Sequence, residues 1–106
     1  IKLVIDIYKT TINFPKTEVF GLTSQIKRAV VSIPSNIAEG RNRGSTKEFV
    51  QFLRISYGSG AELETQLYIA KELRFLTELD YNRIVDVLSE IMKMLNAMIF
   101  KLKAKS

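Results

Sequence analysis

The stretch Ser32–Ser45, SIPSNIAEGRNRGS, decides the fold, because it either breaks a long helix or carries it into a turn. Upstream and through it, Leu22, Ile26, Val30, Ile33 and Ile37 recur at steps of four, four, three and four. At 100° per residue those positions stay on one face about 80° wide. The phase survives Pro34, so the spacing predicts one helix over 22–39 that kinks at the proline, not two helices. Pro34 has no N–H to give the Val30 carbonyl, and Ser32, Ser35 and Asn36 lie close enough to satisfy the local backbone. A second reading makes Ser35, Asn36 and Glu39 the floor of a polar groove. The remainder, GRNRGS, reads as a turn. Gly40 and Gly44 tolerate positive φ, and Ser45 with Glu48 forms the S-x-x-E box that starts another helix.

Working outward, Ile1, Val4, Ile5, Tyr8 and Ile12 mark a first helix over about 1–12, stopped by Pro15 in NFPK. Thr23 or Ser24 is the expected cap of the second helix. The third runs over about 46–74, with a seam of Phe49, Leu53, Ser56, Gly60, Leu63, Leu67 and Ala70 in alternating steps of four and three. Its middle, SYGSGA, is costly, since each helical glycine loses about 1 kcal/mol against alanine. Close approach of another backbone would offset that. Folding the second and third helices back on each other about Arg43 predicts Val30 near Tyr57 and Ile26 near Ala61. Thr77 with Asp80 caps a fourth helix over about 78–102. Its apolar set (Ile84, Val85, Leu88, Ile91, Met92, Leu95, Met98, Ile99 and Leu102, widened by Val87 and Met94) exceeds the three positions in seven that one bundle seam needs. The excess fits either a generous core or a second buried face used for self-association. No segment reads as a strand. The expected fold is therefore all-α, an antiparallel up-down-up-down four-helix bundle with a Pro-kinked second helix, in one domain over 1–106.

The totals narrow the chemistry. With 46% hydrophobic and 25% charged residues the chain has a globular composition. No apolar run nears 18 residues, which argues against a membrane span, and no signal peptide is recognisable. The absence of cysteine fits a reducing compartment, with the cytoplasm as the default. The absence of both cysteine and histidine removes the thiolate nucleophile, the usual general base and the usual metal ligands. No catalytic residue, metal or cofactor is expected. Glu62 and Glu64, two residues apart, point about 200° away from each other and cannot act as an acid–base pair. One is expected in solvent, the other buried or interfacial and paired with a cation such as Arg28.

Net charge is +5, and it is segregated. Residues 21–54 carry six basic and two acidic side chains, 55–80 two and five, and 81–106 five and two. GRNRGSTK, Gly40–Lys47, lacks the spacing and the preceding strand of a nucleotide phosphate loop. It still presents helix-start N–H groups beside Arg41, Arg43 and Lys47, a sound seat for a backbone phosphate. Lys27 and Arg54 are further candidates, and Lys101, Lys103 and Lys105 would add attraction from a flexible tail. A solvated basic turn is the plainer reading.

Phe14–Leu67 contains GLTSQI, SIPSNIAEG, KEF and ELETQL, in that order. These blocks resemble the four-helix-bundle proteins encoded in intervening sequences of bacterial large-subunit ribosomal RNA genes, and IMKMLNAMI in the fourth helix continues the likeness. The resemblance implies a small helical homopentamer. Members carry a ribosomal-protein label that reflects where their genes lie. A related branch, the accessory variability proteins of diversity-generating retroelements, shares the bundle and works with a reverse transcriptase and nucleic acid. Two functions follow as expectations: a non-enzymatic RNA- or DNA-binding oligomer, or a protein-interaction scaffold such as a reverse-transcriptase accessory subunit. No catalytic residue follows from the resemblance.

Overall fold

The computed structural model describes residues 1–105. Four α-helices account for most of them: α1, Lys2–Thr11; α2, Leu22–Arg41; α3, Thr46–Glu72; and α4, Glu78–Lys105. A single 3-10 turn, Lys16–Glu18, lies between α1 and α2, and no strand occurs among the described residues. The long axis is 46 Å, close to the ~42 Å that a 28-residue helix such as α4 spans at 1.5 Å per residue.

One apolar core runs through all four helices. Ile26 and Val30 of α2, Leu53, Leu63 and Leu67 of α3, and Ile84, Leu88 and Leu95 of α4 are fully or almost fully buried. Ile7 of α1 joins them. The seam read for α3 is buried from Leu53 to Ala70, although its first position differs: Phe49 is half-buried and Val50 takes the core place.

Helix α1 buries a different face from the one its spacing predicts. Leu3, Ile7 and Thr11 point inward, while Ile1 and Ile12 are 85% and 78% exposed. Both faces of α1 are apolar, so periodicity alone cannot choose between them. The observed orientation also ties α1 to α4: Arg83 donates to both Asp6 oxygens, at 2.9 and 3.2 Å, and also contacts Asp80. Leu3 and Ile7 then join the common core.

The ends follow local hydrogen bonding. Helix α2 starts at Gly21, not at Thr23 or Ser24, because the 3-10 turn brings the Glu18 carboxylate to the Leu22 N–H at 3.3 Å. Thr23 is buried within the helix and its hydroxyl has no partner. Ser45 Oγ accepts the Glu48 N–H at 3.1 Å, and Thr77 Oγ1 accepts that of Asp80 at 3.1 Å, as their spacing predicts. Helix α3 stops at Glu72, two residues short of expectation. Arg74 turns to φ +64° and the Phe75 and Arg74 N–H groups reach back to the carbonyls of Ala70 and Lys71, a Schellman closure. At the other end, α4 continues through Lys105, so the C-terminal lysines belong to a helix and not to a flexible tail.

Between α2 and α3, Ser56 donates to the Ile33 carbonyl at 2.9 Å, and Ser32 and Ser59 hydroxyls meet at 2.8 Å. The register is two to four residues away from the predicted pairing of Val30 with Tyr57. Gly40 sets it. This residue is helical and buried, not a turn residue, and a Cβ there would stand 2.7 Å from Phe52 Cβ and 3.0 Å from Phe49 Cδ1. Positive φ is confined to Gly44 among the glycines. Gly60 serves the same purpose against α4, where the Met92 thioether occupies the space a side chain would need.

Candidate nucleic-acid interface

The α2–α3 turn places its cations by two local devices. Capping by Ser45 launches α3 with Lys47 in its first turn and Arg54 two turns later, seven residues apart and about 20° from each other around the axis. Both are exposed. On α4, the buried positions Leu95 and Ile99 hold the helix so that Lys103, four residues after Ile99, reaches the same side. Lys47, Arg54 and Lys103 line one groove of about 420 Å³ with Val50 and Gln51. Residues 56 positions apart in sequence thus share one site. Lys47 and Arg54 stand about 10 Å apart along α3, comparable to the ~8–10 Å screening length at ordinary salt.

The other candidates divide. Arg41 is exposed and lines the adjoining hollow with Gly44, Ser45 and Thr46, beside the start of α3. Arg43 is largely committed within the chain: its guanidinium is 2.8 Å from Glu39 and stacks 5.0 Å from the Phe52 ring centre. Lys101 is exposed on α4. Lys27 does not join this end. It lies fourteen residues before Arg41 in the same helix, about 21 Å away, with its ammonium 4.8 Å over the Tyr8 ring.

Pro34 lies inside a continuous α2. Asn36 donates to the Ser32 carbonyl and hydroxyl, both at 2.8 Å, so its amide is spent on the helix itself. With Glu39 paired to Arg43, Asn36 and Glu39 are both engaged locally, and Ser35 is exposed. Neither Glu62 nor Glu64 is buried. Glu62 accepts from Gln66 at 3.4 Å and faces Arg28 across a groove without a salt bridge. Neither glutamate enters the core, because both positions flank Leu63, which takes the core side.

Sequence reasoning overlooked Phe100. It is 78% exposed, one turn before Lys103. The signal was available: residues after Glu90 include no carboxylate, and Phe100 falls outside the buried stripe of Leu95 and Ile99.

The helix end that carries these cations is predominantly basic, with its carboxylates Glu39 and Glu48 held in local contacts. Residues 1–97 match the family model described as 23S rRNA-intervening sequence protein, and the chain belongs to that family. It is similar in structure to a protein of unknown function from the S23 ribosomal protein family of Bacteroides thetaiotaomicron, with 28% identity and a TM-score of 0.80. That match covers 91% of this chain and 87% of the other. No functionally curated protein matches. Among the described residues, no helix is long and apolar enough to cross a membrane.

Proposed function

We propose that this protein is a non-enzymatic, RNA-binding oligomer, acting in the cytoplasm, whose contact surface is the end of the helices that carries the α2–α3 turn and the α4 C-terminus. The convergence of Lys47, Arg54 and Lys103 on one groove, next to exposed Arg41, carries this reading. Phosphate binding is driven by release of condensed counterions, which rewards several cations on one surface more than the same cations dispersed. Membership of a family named for rRNA intervening sequences makes RNA the first nucleic acid to test. The fold reading that accompanies it is an antiparallel up-down-up-down bundle, supported by the pairing of Ile33 with Ser56 and of Gly40 with Phe49 and Phe52, with a kink at Pro34 argued from the N–H that proline lacks inside α2. The test is binding of purified protein to structured RNA over a salt series. The expected slope is about 0.7–0.9 log units of affinity per log unit of salt for each phosphate contacted. Lys47→Ala with Arg54→Ala should lower both affinity and slope. Salt-insensitive binding, or none, ends the proposal.

Oligomerisation, as a homopentamer by family resemblance, belongs to the same reading. Ile1, Ile12 and Leu79 are each more than three-quarters exposed, and Val87 and Met94 extend the apolar surface of α4. That surface also favours a second reading, a scaffold that docks a protein such as a reverse transcriptase. A defined protein partner surviving nuclease treatment would select it, and co-purified nucleic acid alone would count against it.

A further inference from the structure

We infer that the basic end accepts an unpaired strand, with Phe100 as a stacking platform for a base and Lys47, Arg54 and Lys103 holding its phosphates; this rests on the RNA-binding reading above. Lys93, Asn96, Phe100 and Lys103 are all exposed and follow one another at steps of three, four and three. That spacing keeps them within about 80° around α4 and extends them over about 15 Å. The stripe therefore ends at Lys103, and Lys103 lines the groove that holds Lys47 and Arg54. A cationic track and an aromatic ring are continuous across two helices. No carboxylate follows Glu90 in α4, and Glu48, the one acidic residue between Thr46 and Ala61, is tied to the Ser45 cap.

The aromatic ring distinguishes strand types. In a duplex every base is stacked on its neighbours, so only phosphates and sugars meet a cationic surface, and a phenyl ring in their midst gains little. An unpaired strand has a free π-face at each base, and stacking one on an aromatic side chain is worth about 1–3 kcal/mol. A 78%-exposed Phe between Lys93 and Lys103 fits the second ligand and not the first. Val50, packed beneath Lys47 and Arg54, closes the floor of the groove with apolar surface.

The experiment measures anisotropy of a labelled, unstructured oligoribonucleotide and of the corresponding blunt duplex with the intact chain. Wild type should bind the single strand more tightly. Phe100→Ala should weaken single-strand binding about 5- to 150-fold, the range of one lost stack, and leave duplex binding unchanged, while Phe100→Tyr retains it. Equal affinity for both strands with a neutral Phe100→Ala would overturn the inference yet leave the RNA-binding reading intact. Absence of binding to either RNA would overturn both. A lower solution mass for Phe100→Ala at unchanged helicity would show that another copy covers the ring, which also overturns it.

Discussion

Replacing Gly40 with alanine should destabilise the protein, whereas the same change at Gly58 should stabilise it. At position 40 the new methyl would lie 2.7 Å from Phe52 Cβ, about 1 Å inside the usual 3.5–4.0 Å carbon–carbon separation. A Cβ is fixed to its backbone, so relief requires α2 and α3 to separate or Phe49 to leave its rotamer; overpacking of this kind costs about 1–3 kcal/mol. Gly40 lies in the last turn of α2, where improved helix propensity returns little. At Gly58, mid-helix in α3, a Cβ meets nothing within 4 Å, and alanine gains about 1 kcal/mol of propensity. Because the change is chemically the same, the unfolded-state contribution cancels between them, and the two variants should differ by about the overpacking cost, ~1–3 kcal/mol. For a chain near this length each kcal/mol moves Tm by about 4–8 °C. Urea unfolding followed by far-UV circular dichroism, at one fixed protein concentration, measures the difference. If Gly40→Ala matches wild type, or the two variants move together, the close approach of α2 and α3 at this point is wrong.

Three further outcomes are expected. Ser45→Ala removes the acceptor for the Glu48 N–H and should cost about 1 kcal/mol, seen as a lower urea midpoint at an unchanged slope. Arg74→Gly relieves a non-glycine residue at φ +64° and should stabilise by about 1 kcal/mol; a loss would mean that the Arg74 side chain supplies more than its backbone strain takes away. The third concerns pH. Hydrogen bonding from Arg83, together with its charge, holds the Asp6 carboxyl below its ordinary value of 3.8. A depressed carboxyl pKa stabilises above the unfolded value and loses that contribution as pH falls through the folded one. The α1–α4 tie should thus be intact at neutral pH and loosen below about pH 3.8, with earlier proteolytic cleavage in α1; Arg83→Ala should show the loosened behaviour already at neutral pH. Both side chains are partly exposed, so solvent screening keeps the effect small.

Much of this architecture is legible in the sequence because it depends on neighbours three or four residues apart. The α3 seam from Leu53 to Ala70, the caps at Ser45 and Thr77, and the continuity of α2 past Pro34 all follow from local spacing and local hydrogen bonds. Other features depend on what lies across the fold. Helix α1 offers apolar residues on two faces, and the packing across the fold, in which Leu3 and Ile7 join the common core while Asp6 meets Arg83 of α4, settles which is buried. Gly40 has turn chemistry in sequence, yet the packing of Phe49 and Phe52 against it keeps it helical. The candidate site divides in the same way. Sequence determined which residues are cationic and that they occur in two blocks, since charge is a property of composition. The Glu39–Arg43 pair is an i,i+4 contact that local spacing already allows. Tertiary structure alone brought Lys103 beside Lys47 and Arg54 and left Phe100 uncovered, because those outcomes depend on where separate helices end in space and no local period encodes that.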